Sequence, residues 1–359
     1  MSIQWEHENK SVDIVIIAGN RPEIIKVSEL VKPLNDKYKS VFLYTGQHYS
    51  PNMRDVFFED LDVKFDYDLA SNTSDVSALT ENIQKFLTNI HPKCVIVYGD
   101  TNSTLAGALA TTNTDCKLIH IEAGIRNFNQ SFVEERNRVK IDSISDYLLA
   151  PTELSKVFLK YENLGDRTYV TGNLIVDVCR KIASTLDTLP KSGLPGEYIL
   201  LTMHKPAIVE DQDMLKKLCK LLDQIKYKIV FPAHPRTLSS MARNNITLPS
   251  NVKVIEALGY RDFLGLLKNC LLVMTDSGGV QEEAVLLKKP CITLFSTTDR
   301  QETILIKANR LFFPLDSSQP ISGVIEEMMG TKITTNPYGE NVTKRVIETI
   351  DNIMNNNVP

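Results

Sequence analysis

With 359 residues the chain is longer than one hydrophobic core usually serves, so two domains are the default expectation. Its 43% hydrophobic and 23% charged content is ordinary for a soluble globular protein, and a net charge of −4 gives no basis for a nucleic-acid partner, so any basic site has to be local. The opening "MSIQWEHENK" is polar, the apolar run after it is too short for a signal core, and no run approaches a membrane span.

In chain order, short apolar runs alternate with helical patterns. The first half offers strands at 12–19, 40–46, 94–100, 117–124, 147–151 and 168–172, with amphipathic stretches at 22–35, 76–90 and 101–112 between them. Continuous Val/Ile/Leu strands separated by helices mean a parallel sheet covered on both faces. The Gly/Pro-rich "KSGLPGE" (191–197) interrupts the pattern, which restarts with strands at 198–204, 228–234, 252–258, 271–277, 291–296 and 310–315. The fold class is therefore α/β, two Rossmann-like domains spanning 1–175 and 176–340, with a last helix at 341–355 that packs back on the first. No GxGxxG fingerprint, P-loop, GxSxG, HExxH or Cys/His cluster occurs, so neither a dinucleotide cofactor nor a metal is expected. The six cysteines (Cys94, Cys116, Cys179, Cys219, Cys270, Cys291) never form CxxC; four lie in or beside apolar runs and read as small buried hydrophobes in a reducing compartment, the cytoplasm.

Polar residues gather directly after the apolar runs. In open parallel sheets ligands bind outside the carboxyl ends of the strands, and two such domains facing each other make a cleft. "TDSGGVQEEA" (275–284) reads as strand, glycine turn and helix start. Ser277, Gly278 and Gly279 can form an anion nest, and Glu283, placed with Gln281 and Glu282 in the first helical turn, can accept from a ribose diol. A plain tight corner with acids that favour the helix N-terminus explains the same letters. In "AGNRPEIIK", Arg21 and Lys26 suit a diphosphate or a carboxylated sugar, or are ordinary surface cations. Asp100 and Glu122 end apolar strands, where acids are costly unless exposed to a cleft or paired. Glu134 opens a helix beside Glu135, Arg136 and Arg138; acids with nearby arginines can have their pKa values pushed apart for acid/base work, or form plain ion pairs, as Glu135 and Arg138 suggest. His204 and His234, with Arg236 behind the latter, end strands where imidazole can bind phosphate or move protons, whereas His7 and His91 read as surface residues and His48 as a loop residue.

The ordered set "GNRPEIIK", "TGQH", "YGDTNSTLAGALA", "HIEAGIRN…EERNR…D", "APTELS", "TGNLIVD", "GYRDFLGLLKNC", "TDSGGVQEEAVLLKKP" and "NPYG" resembles the non-hydrolysing UDP-N-acetylglucosamine 2-epimerases over residues 12 to 355. The resemblance implies a GT-B arrangement, a homodimer and a UDP-N-acetylhexosamine as substrate. It matches Arg21 and Lys26 to the family's cationic turn, and Asp100, Glu122 and Glu134 to its catalytic carboxylates. It further matches His204 to the phosphate-side histidine, Ser277, Gly278 and Gly279 to the diphosphate cradle, Glu283 to the ribose ligand, and keeps Arg300 beside the site.

The chain also departs from that pattern. "HKPAI" (204–208) stands for the usual "HRxEN", "FSTTDRQE" (295–302) for "RxxTERPE", and "AHPRT" for "HxNP", while "QHYS" replaces the "QHR" of the bacterial allosteric region. These changes surround the sugar and diphosphate, so the resemblance leaves the sugar identity, and regulation by a second UDP-sugar, open. The implied chemistry eliminates UDP to a 2-acetamidoglucal and adds it back after a proton reaches the other face of C2. The alternatives are a 2-epimerase of a modified UDP-sugar such as UDP-2,3-diacetamido-2,3-dideoxyglucuronate, a hydrolysing 2-epimerase, a GT-B glycosyltransferase, and a binding-only protein.

Overall fold

The computed structural model describes residues 12–46, 58, 61–186, 194, 196–314 and 319–357. His7, His48 and the allosteric-region residues 47–50 lie outside them, as do residues 191–193 and 195 of the break at 191–197. The chain divides into two compact units, one running to Val178 and resuming at Tyr338, the other spanning Cys179–Pro337.

The first unit is built on a seven-stranded parallel sheet: β1 Ile14–Ala18, β2 Ser40–Tyr44, β3 Tyr67–Asp68, β4 Cys94–Tyr98, β5 Lys117–Ile121, β6 Tyr147–Ala150 and β7 Thr168–Val170, in the order β3-β2-β1-β4-β5-β6-β7. Its helices are α1 Arg21–Lys37, α2 Val76–Ile90, α3 Asn102–Thr111, α4 Val133–Ile144, α5 Glu153–Tyr161 and α6 Ile175–Thr185, the last running on into the second unit. Every residue of β1 and β4 is buried, which is why these strands read as unbroken apolar runs and not as alternating ones. Burying each Val or Ile contributes roughly 1.5–3 kcal/mol. Helix α1 starts sharply because Asn20 and Glu23 form a capping box and a proline occupies its first turn.

The second unit carries a six-stranded parallel sheet: β8 Ile199–Thr202, β9 Ile229–Pro232, β10 Val252–Ile255, β11 Leu272–Thr275, β12 Cys291–Thr293 and β13 Asn309–Leu311, in the order β10-β9-β8-β11-β12-β13. Its helices are α7 Pro206–Val209, α8 Gln212–Asp223, α9 Pro235–Arg243, α10 Tyr260–Asn269, α11 Gly278–Leu286, α12 Gln301–Leu305 and α13 Ile321–Met329. The last helix, α14 Val342–Met354, packs on α1 in the first unit; there Tyr38 donates to Asp351 at 2.8 Å, and Lys117 reaches Asn356 at 2.6 Å. Both sheets reverse their strand order once, between β1 and β4 and between β8 and β11. Such switch points open a crevice at the carboxyl ends of the strands. No helix among the described residues is long and apolar enough to cross a membrane.

Candidate functional site

In the first unit the expected residues collect around the β1/β4 switch and the neighbouring end of β5. Arg21 opens α1 just past β1 and is half-buried. Lys26, one turn along, is only 5% exposed; its Nζ lies 2.5 Å from Glu122 Oε2 and over the Tyr98 ring, 5.4 Å from its centre. A lysine so placed holds the carboxylate beside it. Asp100 follows β4 and is paired with Arg138, whose Nη1 also lies 3.1 Å from Glu135 Oε2. Asn137 fixes the same corner by donating to the Asp100 carbonyl at 2.9 Å. Two neighbouring strand ends thus each present a carboxylate gripped by a buried cation.

Glu122 has a φ of +74°. A side chain in the left-handed region costs of order 1–3 kcal/mol and persists only where its surroundings hold it. Here the Glu122 and Ala123 N–H groups both donate to the Leu149 carbonyl at 3.1 Å, and Lys26 holds the side chain. Glu134 lies in the first turn of α4, exposed. Its neighbour Glu135 is fully buried, accepts from the Asn127 and Phe128 N–H groups at 3.0 and 2.8 Å, and fills the structural role suggested for it.

Beneath the α1 turn lies a carboxylate that the sequence reading passed over. Glu23 accepts from the Gly19 and Asn20 N–H groups at 2.7 and 3.1 Å and from the hydroxyls of Thr101 and Thr104. It therefore ties the Arg21 turn to the Asp100 corner. Burial pushes its carboxyl up, against the opposing pull of these donors.

In the second unit the β8/β11 switch brings His204 and Asp276 together. His204 is exposed, and its Nδ1 lies 3.1 Å from Asp276 Oδ1. The other Asp276 oxygen accepts from the His204 and Lys205 N–H groups at 2.9 and 2.8 Å. Burial works against charge on Asp276, but the hydrogen bonds and charge of His204, with those two N–H donors, outweigh it and hold the carboxyl below its usual range. Asp276 therefore faces the Nδ1 edge of the imidazole and leaves Nε2 on the far side of the ring. The signal for it was present, an acid ending the apolar run "LLVMT".

Ser277 is the N-cap of α11, makes no side-chain cap hydrogen bond, and leaves its hydroxyl unused by the helix. Gly278 and Gly279 are not left-handed. The expected nest is accordingly an open helix N-terminus, equally suited to an anion. Glu282 and Glu283 fall in the second turn of α11 and not the first, and Glu283 is buried. Its carboxylate takes a hydrogen bond from the fully buried Tyr260 hydroxyl, whose pKa burial and that negative charge drive well above its usual value. Arg300 turns inward: it is buried and paired with Glu282, with Asp299 3.1 Å away, so it braces α11 from beneath. Lys205 stands over the Phe295 ring at 4.9 Å, joining two of the segments that depart from the family pattern. His234 is exposed at the end of β9; Arg236 lies on α9, its side chain outside the described set. Among the described residues no group of three or more His, Cys, Asp or Glu could hold a metal ion.

Known proteins resemble this chain over most of its length. The family profile described as UDP-N-acetylglucosamine 2-epimerase matches residues 33–351. The UDP-N-acetylglucosamine 2-epimerase of Methanococcus maripaludis is 37% identical over 361 residues, covering 94% of this chain and 97% of that protein. The UDP-2,3-diacetamido-2,3-dideoxy-D-glucuronate 2-epimerase of Pseudomonas aeruginosa is 35% identical over 311 residues, 83% of this chain and 87% of that one. The crystal structure of the Methanocaldococcus jannaschii UDP-GlcNAc 2-epimerase in complex with UDP-GlcNAc and UDP superposes with a TM-score of 0.87 at 36% identity, covering 95% of this chain and 99% of that one. A profile match across most of the chain, relatives aligned nearly end to end and a common GT-B fold all agree: this chain is a member of the UDP-N-acetylglucosamine 2-epimerase family.

Proposed function

We propose that the protein epimerises C2 of a UDP-N-acetylhexosamine, interconverting UDP-N-acetylglucosamine and UDP-N-acetylmannosamine. The observation that carries this reading is the pair of strand-end carboxylates, Asp100 with Arg138 and Glu122 with Lys26, on adjacent corners of one sheet. The hydrogen on C2 is not acidic by itself. Its removal becomes feasible when the C1–O bond to UDP breaks in the same event, leaving a C1=C2 double bond and UDP as anion. In the second unit the open N–H groups at the start of α11, with the Ser277 hydroxyl and His204 beside Asp276, hold the diphosphate charge that develops. A proton then returns to the opposite face of C2 and a UDP oxygen adds back to C1, so the cycle is redox-neutral. Two faces require acid/base groups in more than one position, which Asp100, Glu122 and the exposed Glu134 supply. Glu283, held by Tyr260, receives the ribose.

The test is incubation with UDP-N-acetylglucosamine in heavy water. Deuterium at C2 with UDP still attached supports the reading, and its abolition in Asp100→Asn and Glu122→Gln ties it to the two corners. Free N-acetylmannosamine plus UDP identifies the hydrolysing form. One further substrate is favoured by the Lys205–Phe295 contact among the altered segments and by the Pseudomonas relative: exchange with a diacetamido uronate but none with UDP-N-acetylglucosamine selects it. We further propose that the protein acts in the cytoplasm as a homodimer, to be checked by cell fractionation and light scattering.

A further inference from the structure

The proposed chemistry leaves one buried cluster of the first unit unused. His120 sits inside β5 and is fully buried. Its Nε2 lies 2.8 Å from the carbonyl oxygen of Gly99, which can only accept, so Nε2 carries a hydrogen. Its Nδ1 lies 2.6 Å from Asp142 Oδ1. The other oxygen of Asp142 accepts from the Gly124 N–H at 3.1 Å and meets Arg126 Nη2 at 2.7 Å. Arg126 in turn forks onto Glu162, with contacts of 2.7 and 2.6 Å. Burial opposes charge on Asp142, but the His120 ring and Arg126 outweigh it and hold the carboxyl below its usual range. An ionised carboxylate accepts only, so Nδ1 carries a hydrogen as well. Both ring nitrogens donate, the hydrogen-bonding pattern of the protonated ring.

The ends of this bridge are informative. Gly99 immediately precedes Asp100 and has a φ of +76°; Gly124 lies two residues after Glu122 and has a φ of +81°. A Cβ on Gly124 would come within 2.5 Å of the Ser155 carbonyl, so that corner has no slack. The bridge thus spans from the backbone of the Asp100 corner to the backbone of the Glu122 corner, whose own left-handed conformation has to be held in place.

We propose that His120 and Asp142 are positioning residues for the epimerisation, a doubly donating ring and its carboxylate that fix the separation of the Asp100 and Glu122 corners; this rests on the reading that those acids act on the sugar. A glutamine in place of His120 offers its donors from a single nitrogen and cannot reach both partners from opposite edges. Loss of the bridge therefore misplaces the acids without touching the groups assigned to the nucleotide.

The test has two arms on the full chain. Nitrogen NMR of the unaltered protein, labelled at histidine, should show both ring nitrogens of His120 engaged in hydrogen bonds with slowly exchanging protons; one free nitrogen overturns the bridge. In His120→Gln and Asp142→Asn, kcat for C2 deuterium exchange should fall about a hundredfold, the scale expected for misplacing catalytic groups by an ångström, with KM and UDP affinity unchanged. Folded variants that keep the wild-type kcat, or lose UDP affinity in parallel, overturn the positioning role. If neither variant folds, the NMR result on the unaltered protein decides. A wild type that exchanges no deuterium with any UDP-sugar sinks the functional reading and the positioning role with it, whereas exchange in wild type and variants alike sinks the positioning role alone.

Discussion

The two units prepare their switch points differently. In the first, the strand-end carboxylates and their neighbours are braced by buried partners: Lys26 on Glu122, Arg138 on Asp100 and Glu135, and Asp142 between His120 and Arg126. In the second, His204 and His234 are exposed, and the anion-receptive element is backbone N–H at the start of α11. A carboxylate that must take and return a proton at one atom needs a fixed position, which buried ion pairs impose. A grip on a diphosphate needs several donors and room to approach, which an open helix terminus provides without long side chains to order. Substitutions in the first unit are therefore expected to strike stability and turnover together, and those in the second to strike mainly binding.

The sharpest way to break that contrast is Lys26→Met. It leaves Glu122 buried, left-handed and without its cation, so unfolding in urea should show a loss of about 3–5 kcal/mol, the scale for removing one partner of a buried pair. Adding Glu122→Gln should recover most of that stability, because no buried charge is then left uncompensated, while deuterium exchange stays absent. A loss below about 1 kcal/mol in the single variant would place the pair among surface ion pairs and remove the first unit's claim to preorganisation.

Asp276→Asn tests the corresponding brace of the second unit, with a smaller expected loss of about 1–3 kcal/mol, since one partner, His204, is exposed. The sign of its pH dependence follows from the depressed carboxyl. Its folded value lies below the unfolded value of about 3.9. The stabilisation it contributes is fully present above that unfolded value and is lost as pH falls through the folded one. Thermal melts should show the wild type losing stability more steeply than Asp276→Asn below about pH 4. Equal slopes would mean that His204 and the two N–H groups do not favour the charged carboxylate.

Much of the fold was legible because a parallel strand covered on both faces is written as an unbroken apolar run ending at polar letters, as in "VDIVIIAG" before "NRPE". Strand β3, Tyr67–Asp68, was not, because two edge residues carry no periodicity. Runs such as 291–296 overstate their strand, which ends at Thr293, since buried loop residues are as apolar as strand residues. The candidate acids were legible as charges at strand ends. Their partners were not: Lys26 and Glu122 lie 96 positions apart, and nothing local in "PEIIK" marks a lysine that turns inward. His120 was overlooked within "KLIHIEAG" although an imidazole amid apolar strand residues must find partners or stay out of the core, and that is a readable signal. The pairing of Arg300 with Glu282 was hidden in the same way, since the two lie across a loop.

The smallest expected effect separates backbone from side-chain recognition in the second unit. Gly279 sits in the first turn of α11 with helical backbone, and a Cβ there would meet nothing closer than the Ser277 Oγ at 3.9 Å. Alanine should fit and, by limiting the unfolded chain, stabilise the helix by roughly 0.5–1 kcal/mol, visible as a raised melting temperature. A methyl group at that N–H would nonetheless stand where a diphosphate approaches. UDP affinity measured by calorimetry should fall about tenfold, or about 1.4 kcal/mol. Gly278→Ala is the less informative neighbour, because its Cβ would come within 3.1 Å of the Asp299 carboxylate and combine both costs. A Gly279→Ala protein that melts higher and binds UDP as tightly as the wild type would move the grip from the helix start to the side chains of His204, His234 and Ser277. The contrast between a side-chain unit and a backbone unit would then disappear.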